Sequence, residues 1–339
     1  MSQYQRYSRQ MLFSQIGEEG QKKFGDTSIL IVGMGALGTA IANHMVRAGF
    51  GKIRIVDRDY VEKSNLQRQM LFDEKDVEAA LPKAVAAKNK LEKMNSEIKI
   101  EAITTDVDAS NIIELVEGID MVMDGTDNFS TRFLLNDAAF KTGVPYVYGG
   151  AVSSRGMTAL FIPGETPCLR CFIQSDGSTT GETCDTIGVI SPIVDIIASY
   201  QVTEAMKYFV GAHDKLNRCL LTVDIWNNHT YSMKYSSPKV DCPACQKQEY
   251  PALQHGATSD VASLCGRETI QIKIEKTFDL KEWSNKLENI AKVKKTPFLL
   301  KAELEEGERI VMFPDGRVLV QGTSDSGRAK ALYSRYIGM

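Results

Sequence analysis

Ile29-Leu-Ile-Val-Gly33-Met-Gly-Ala-Leu-Gly38 precedes a helical run, which is followed by Ile53-Arg-Ile-Val-Asp57. A β-branched run, a glycine-rich turn, a helix and a second apolar run predict a βαβ unit with a nucleotide-binding fingerprint. The sequence around this unit predicts an α/β fold, with a Rossmann-like doubly wound sheet as its main domain.

The three glycines of the turn have different physical roles in such a unit. Gly33 allows the tight turn, Gly35 lets a phosphate approach the backbone, and Gly38 lets the helix pack closely on the strand. The helix N-terminus then offers free N–H groups and the positive end of its dipole to the phosphates. Asp57 ends the second strand, where an acidic residue can hydrogen-bond a ribose.

The segment after Asp57 argues against a dinucleotide such as NAD or FAD. Ser64-Asn-Leu-Gln-Arg68-Gln is polar and cationic, and it lies beyond the carboxyl end of a strand, where open α/β sheets place their ligands. A triphosphate needs an arginine there, because charge builds up on its oxygens during transfer. A surface loop that is polar only because it is exposed is the alternative.

Composition sets the outer limits on structure and function. The 339 residues, 43% of them hydrophobic, indicate either two domains or one large α/β domain with an appendage. The net charge of −3 and the absence of a basic tract argue against bulk nucleic-acid binding. The N-terminus has no apolar signal core and no run is long enough to span a bilayer, so a cytosolic location away from membranes is expected.

Two further cations are candidates for a phosphate site. Arg9 lies in an amphipathic N-terminal arm (residues 1–25), and an arginine supplied from outside a domain can stabilise a phosphoryl group in transfer. Lys83 follows Pro82 in the first turn of a predicted helix. A cation there interacts unfavourably with the helix dipole, at a cost of about 0.3 kcal/mol or more. A solvated arm with incidental charge is the alternative for Arg9.

Asp124-Gly-Thr-Asp127-Asn128 follows another predicted strand and belongs to the same ligand side of the sheet. The Asp127 carboxylate could hold Mg²⁺, a hard cation that binds one or two carboxylates together with substrate phosphates. It could instead be only the N-cap of the next helix.

These motifs together resemble the ThiF/MoeB/HesA family in order and spacing, over about residues 4 to 250. The resemblance rests on the following segments: Arg6-Tyr-Ser-Arg9-Gln, Gly33–Gly38, Asp57-Arg-Asp59, Ser64-Asn65-Leu-Gln67-Arg68-Gln, Pro82-Lys83 and Asp124–Asn128. Ala36 departs from the pattern, since many members have a third glycine there; alanine is small enough for the phosphate loop to survive.

The resemblance implies an adenylyltransferase related to ubiquitin-activating enzymes. Its substrates would be ATP and the C-terminal Gly-Gly carboxylate of a small ubiquitin-like sulfur-carrier protein, in thiamine-thiazole or alternatively in molybdopterin biosynthesis. It also implies a homodimer in which Arg9 reaches the ATP of the partner. A nucleotide-dependent binding or sensor module without turnover is the alternative of another class.

The chemistry is consistent with the residues. A carboxylate that attacks the α-phosphate of ATP brings like charges together. Arg68, Lys83, Arg9 and Mg²⁺ on Asp127 would neutralise that charge as pyrophosphate leaves. The expected nucleotide-binding positions are Gly33, Gly35, Ala36, Gly38, Asp57, Asp59, Asn65, Gln67, Arg68, Lys83, Asp127 and Asn128.

The seven cysteines give a second signal. Cys168-Leu-Arg-Cys171 and Cys242-Pro-Ala-Cys245 are two Cys-x-x-Cys knuckles, and four thiolates suit a closed, structural Zn²⁺ site. A redox role for one knuckle is the alternative. Cys184 lies in a Gly/Ser/Thr-rich loop, and in the thiazole-forming branch of the family a cysteine there can join covalently to the carrier. It is therefore a candidate catalytic residue, with a free loop thiol as the alternative.

The remaining chain is predicted to form a separate unit. Residues 251–267 have the small and polar composition of a linker, and residues 268–339 show a strand–helix–strand pattern followed by a hairpin at Pro314-Asp315-Gly316. A small C-terminal α+β domain of unassigned role is therefore expected after an adenylyltransferase domain over residues 1–250.

Overall fold

The computed structural model describes residues 4–173, 187–254, 261–263, 268–274 and 276–338. Contacts between Cα atoms divide the chain into two compact units. The first comprises Met1–Val77 and Pro82–Gly256, and the second comprises Glu78–Leu81 and Ala257–Met339.

The first unit is built on a sheet of eight strands in the spatial order β3-β2-β1-β4-β5-β6-β7-β8. In chain order these strands are β1 (Ser28–Val32), β2 (Lys52–Val56), β3 (Lys99–Ile103), β4 (Met121–Asp124), β5 (Tyr146–Val152), β6 (Arg155–Phe161), β7 (Cys219–Asp224) and β8 (His229–Lys234). The predicted mixed α/β class is thus confirmed.

The predicted doubly wound arrangement applies to the strands from β3 to β5 and not to the whole sheet. The pairs from β3 to β5 are parallel, whereas β5 to β8 form an antiparallel meander. Tight turns with a left-handed residue, Ser153 (φ 55°) and Asn228 (φ 55°), make the β5–β6 and β7–β8 reversals. Neither turn carries the Asn-Gly or Asp-Gly signature by which a hairpin is recognised in sequence, so the β5–β6 hairpin was not predicted.

The helices of the first unit cover both faces of the sheet. They are α1 (Ser8–Met11), α2 (Gly17–Gly25), α3 (Ala36–Ala48), α4 (Glu74–Glu78), α5 (Lys83–Met94), α6 (Ile112–Val116), α7 (Phe129–Thr142), α8 (Leu169–Phe172), α9 (Ser191–Val210) and α10 (Pro251–Gln254). Leu30 and Val32 pack on the α6/α7 side. Their neighbours Ile29 and Ile31 are equally buried and point to the other face, which explains the unbroken apolar run.

The strand register brings three loops together at one edge. Val32 pairs with Val56 on one side and with Asp124 on the other. The glycine-rich turn, the loop from Asp57 and the loop after Asp124 therefore leave the sheet side by side, at the carboxyl ends of parallel strands.

The second unit has an antiparallel sheet of six strands in the order β11-β12-β13-β14-β10-β9. The strands are β9 (Val261–Ser263), β10 (Thr269–Lys273), β11 (Lys292–Lys295), β12 (Leu300–Glu303), β13 (Arg309–Met312) and β14 (Arg317–Gln321), and the helices are α11 (Leu280–Leu287) and α12 (Ser326–Tyr336). The predicted hairpin at Pro314-Asp315-Gly316 joins β13 to β14 and is confirmed.

Two features of this region differ from expectation. The segment 251–267 was predicted as a linker, yet it contains α10 and β9, because Ala252 and Leu253 pack on the α7 core and β9 pairs with β10. The edge strand β11, Lys-Val-Lys-Lys, was not predicted, because its lysines, which protect the edge of the sheet from pairing, leave no alternation of apolar and polar residues. None of the helices in the described part of the chain has the length and apolar character that a membrane crossing requires.

Candidate active site and metal centre

The glycine-rich loop has the tight geometry that its sequence predicts. Gly33 adopts φ +89°, and a Cβ there would lie 2.7 Å from the carbonyl oxygen of Gly125. A Cβ on Gly38 would lie 1.7 Å from the carbonyl oxygen of Gly33. A Cβ on Gly35 would meet nothing closer than the Gln69 amide nitrogen at 3.9 Å, so the backbone is open to a ligand there. Ala36 begins α3 directly after this opening.

Asp57 fastens two loops of the site to each other. Its Oδ2 accepts a hydrogen bond from the Met34 N–H (2.6 Å), and its Oδ1 accepts one from the Asp59 N–H (2.7 Å). Burial raises the pKa of the Asp57 carboxyl, while the Lys83 ammonium acts in the opposite direction. The carboxylate thus orders the phosphate loop, and the predicted contact with a ribose would use its remaining lone pairs or those of the more exposed Asp59.

Lys83 is a buried cation at the start of α5. Only 3% of its side chain is exposed, and Nζ lies 3.0 Å from Oδ2 of Asp59. Its backbone N–H also donates to the Asp59 carbonyl oxygen (2.9 Å). Pro82 is the N-cap rather than a helical residue, so Lys83 itself opens the helix. The buried ammonium therefore pairs with Asp59 and also acts on the Asp57 carboxylate, which binds the glycine-rich loop.

The Ser64–Gln69 segment divides into structural and available groups. Asn65 is buried and its Oδ1 accepts from the Glu62 N–H (2.9 Å), which caps a short 3₁₀ turn. Gln67 is exposed, and Arg68 is partly exposed with Nη1 donating to the Ser64 carbonyl oxygen (3.0 Å). The segment is therefore a fixed turn that presents a guanidinium group.

Gln69 is a polar residue of the site that the sequence left without a role. It is 2% exposed, and within the described chain its Oε1 has no hydrogen-bond partner. Its amide nitrogen faces Gly35. A buried polar atom without a partner is rare and is often satisfied by a ligand or water. The only sequence signal was its adjacency to Arg68.

In the loop after β4, the residue that caps the next helix is the neighbour of Asp127. Asn128 is the N-cap of α7, with Oδ1 accepting from the Thr131 N–H (2.9 Å). Asp127 is exposed and does not have the N-cap role that was its alternative explanation. Arg132, which is buried and was not predicted, donates Nη2 to the Thr126 carbonyl oxygen (2.8 Å) and so holds this loop.

The four predicted metal ligands form one cluster. The Sγ atoms of Cys168, Cys171, Cys242 and Cys245 all lie within 4.8 Å of one another, with Cys168–Cys242 and Cys171–Cys245 each 3.5 Å apart. Zn–S bonds of about 2.3 Å in a tetrahedron put sulfurs roughly 3.8 Å apart, so the donor set fits a zinc ion.

Hydrogen bonding within the cluster favours the thiolate form of two of the four cysteines, Cys171 and Cys242. The hydrogen bond with Cys168 lowers the pKa of Cys242 to about 6 and also lowers the pKa of Cys171 well below its usual range. The protons are correspondingly harder to remove from Cys168 and Cys245, whose pKa values are raised. A metal ion would replace those shared protons.

Residues 7–244 match the sequence profile of the ThiF family. The chain belongs to the ThiF family.

Three similar proteins illustrate the relationship. The sulfur carrier protein ThiS adenylyltransferase of Bacillus subtilis is 43% identical over 98% of this chain and 99% of its own length. The SAMP-activating enzyme E1 of Haloferax volcanii is 35% identical over 72% of this chain and 89% of its own length. The solved structure of E. coli MccB with ATP has a TM-score of 0.62 at 24% identity, over 72% of this chain and 75% of that one. This last likeness concerns the fold alone.

In this ThiF-family chain, Arg9 lies at the opposite end of the unit from its own glycine-rich loop. Its neighbour Gln10 donates to the Ala48 carbonyl oxygen (2.9 Å), and Arg6 donates to that of Met94 (2.7 Å), at the C-terminal ends of α3 and α5. The N-termini of those helices carry the site, and α3 is roughly 20 Å long at 1.5 Å per residue. Arg9 is exposed and is not brought to the site of its own chain.

Cys184 lies outside the described residues, so its catalytic role stays a prediction. Asp127 and Lys83 lie within the described residues. Asp127 comes after β4 and Lys83 lies in the connection after β2, at the same edge of the sheet as the glycine-rich loop.

We expect the purified ThiF-family chain to hold about one zinc ion per chain, in the Cys168/Cys171/Cys242/Cys245 cluster. Cys242→Ser should lower the melting temperature before it affects the rate of nucleotide chemistry, because the cluster joins the two knuckles. Metal analysis and thermal unfolding test this, with Cys219→Ser, a buried thiol outside the cluster, as the control. A zinc-free protein of full stability would contradict it.

Proposed function

We propose that this chain is an ATP-dependent adenylyltransferase that acts on the C-terminal Gly-Gly carboxylate of a ThiS-type, ubiquitin-like sulfur carrier. The observation that carries the proposal is the buried Lys83 cation, which is linked through Asp57 to an open glycine-rich loop, in a chain of which 98% matches a ThiS adenylyltransferase. The reaction belongs to the thiamine-thiazole branch.

The reaction joins one carboxylate oxygen of the carrier to the α-phosphorus of ATP. The bond from that phosphorus to the bridging oxygen breaks, and pyrophosphate leaves with the electron pair. The loop from Gly33 to Gly38 would bind phosphates through its N–H groups. Lys83 and Arg68 would neutralise the charge that develops on the transferring oxygens.

Asp127 is the proposed ligand for Mg²⁺, since it is exposed and free of the N-cap role that Asn128 has. Mg²⁺ when bound supplies charge neutralisation on the phosphates. The Asp57, Asp59, Asn65, Gln67 and Asn128 side chains complete the proposed nucleotide site.

Lys83 must exchange partners for this chemistry. In the ligand-free chain Asp59 balances the ammonium at 3.0 Å. A triphosphate at the glycine-rich loop competes for the same ammonium, and this releases Asp59 to accept from the ribose. The pair therefore keeps a costly buried cation stable until ATP arrives.

The proposed homodimer explains the position of Arg9. Gln10 fixes the arm at the C-terminal end of α3, away from the nucleotide site of the same chain. Arg9 is therefore proposed to contact the nucleotide bound to a second copy of the chain. An arginine provided by a partner is a known means of stabilising phosphoryl charge.

Two alternatives rank lower. The same reaction in molybdopterin biosynthesis would use a different carrier. The thiazole branch is favoured because the similarity to the ThiS adenylyltransferase of B. subtilis extends over both units of this chain. A sensor without turnover would not need Lys83, Arg68 and Asp127 together. The reducing, ATP-containing cytosol suits both the free cysteines and the substrate.

Cys184 is proposed to receive the carrier after adenylation, with AMP as the leaving group and a thioester as the product. Cys184→Ser should keep pyrophosphate exchange but lose a thiol-sensitive enzyme–carrier conjugate in the intact mass spectrum. If the wild-type chain forms no such conjugate with its carrier, Cys184 has no part in the reaction.

Exchange of labelled pyrophosphate into ATP tests the proposed function. We expect exchange with a ThiS-type carrier, slower exchange with a molybdopterin-type carrier, and background exchange without any carrier. Background exchange with every carrier would favour the sensor.

A further inference from the structure

Asp137 is a carboxylate with no accessible surface, in the middle of α7. Arg170 binds it with two hydrogen bonds, Nε to Oδ1 (2.7 Å) and Nη2 to Oδ2 (2.8 Å). Asn136 Nδ2 donates to the same Oδ1 (3.1 Å), and the Ala252 N–H donates to Oδ2 (2.9 Å). One side chain therefore joins three segments of the chain.

Besides α7 itself, those segments are the first cysteine knuckle and the helix that follows the second knuckle. Arg170 stands between Cys168 and Cys171, and the Leu169 N–H in the same knuckle donates to Oδ1 of Asn136 (2.9 Å). Ala252 follows the knuckle of Cys242 and Cys245 in α10. Asp137 thus holds one knuckle through Arg170 and the segment after the other knuckle through Ala252.

This arrangement is not explained by stability alone. A buried ion pair gains little over well-packed apolar side chains, because both charges lose their hydration. Arg170 also lies over the Phe133 ring at 4.7 Å, so its orientation is fixed on both sides. Two parallel hydrogen bonds add geometric specificity, which is useful where ligand positions must be set.

The two knuckles are far apart in sequence, and the paired sulfurs of Cys168 and Cys242 are 74 residues apart. A metal ion that has to gather them from a mobile ensemble would bind weakly, since ordering the chain opposes binding. A scaffold that already holds both knuckles removes that penalty.

We propose that Asp137 is a positioning residue for the metal site, which it preorganises by fixing the Cys168/Cys171 knuckle and the helix that follows the Cys242/Cys245 knuckle on α7. The inference rests on the zinc ion expected in the four-cysteine cluster. It does not depend on adenylation, because Asp137 and Arg170 contact the knuckles and not the glycine-rich loop.

The rate of zinc release to an excess of a coloured chelator tests this, well below the melting temperature. Asp137→Asn should release zinc about 10–100-fold faster than the wild type. This is the size of the affinity loss that is typical when a residue that orients metal ligands is replaced. Arg170→Lys keeps the cation but loses the two parallel hydrogen bonds, so it should also release faster. It serves as the readout if Asp137→Asn does not fold.

Asp315→Asn is the matched control, because Asp315 Oδ2 binds Arg317 Nε at 2.7 Å in the second unit. Its zinc release should equal that of the wild type. Release within twofold of the wild type in a folded Asp137→Asn or Arg170→Lys variant would overturn the proposal, and so would a wild type that holds no zinc. Pyrophosphate exchange measured on the same samples reports separately on adenylation.

Discussion

Replacing Lys83 by alanine should lower carrier-dependent pyrophosphate exchange by about 10²–10³-fold, the loss typical when one stabilising group is removed from a desolvated anionic centre. The ammonium is 3% exposed, so water cannot replace it readily. The Asp57 and Asp59 carboxylates would also remain without it, and both repel a triphosphate. Arg68→Ala should have an effect of similar size through the partly exposed guanidinium.

Lys88→Ala is the control on the same helix. Lys88 is 39% exposed, and among the described residues its ion-pair partner is Glu92 at 3.7 Å, so its loss should leave exchange unchanged. Thermal unfolding of each variant separates lost chemistry from lost fold. Unchanged exchange in a folded Lys83→Ala protein would refute the assignment of the site.

The second large effect concerns subunit sharing. Arg9→Ala and Asp127→Ala should each be inactive, yet an equal mixture should regain about a quarter of wild-type exchange, because half of randomly formed two-fold dimers contain one intact site of two. The reason is the arm: Gln10 and Arg6 hold it at the C-terminal ends of α3 and α5, away from the glycine-rich loop of its own chain.

A mixture of Lys83→Ala with Asp127→Ala is the matched control. Both residues serve the site of their own subunit, so each site in the mixed dimer keeps one defect and no recovery is expected. Recovery in neither mixture, after subunit exchange is verified by mass, would mean that Arg9 acts in its own chain or not at all.

Local sequence patterns predicted the elements that form the proposed nucleotide site. The β-branched run and the glycine spacing predicted the turn at Gly33, where φ +89° and the contact with Gly125 exclude a side chain. Lys83 was recognisable because a cation at a helix start opposes the dipole. Two Cys-x-x-Cys spacings were enough to predict the four-sulfur cluster.

Other features depend on contacts between distant segments. In the antiparallel half of the sheet, the β5–β6 and β7–β8 hairpins follow from turns at Ser153 and Asn228, which lack a strong sequence signature, and β6 pairs with the distant β7. The Asp57 carboxylate binds backbone N–H groups that only the folded loop provides. Asp137 and Arg170 are ordinary helix residues in sequence, and their pairing appears only once α7 lies against the knuckles.

The most direct test of the account is the mass of the carrier after reaction. A ThiS-type carrier incubated with this chain, ATP and Mg²⁺ should become heavier by one adenylyl group, and it should stay unmodified when its terminal glycine is removed or when Lys83→Ala replaces the wild type. A full-length carrier that stays unmodified, with no pyrophosphate released, would contradict the account.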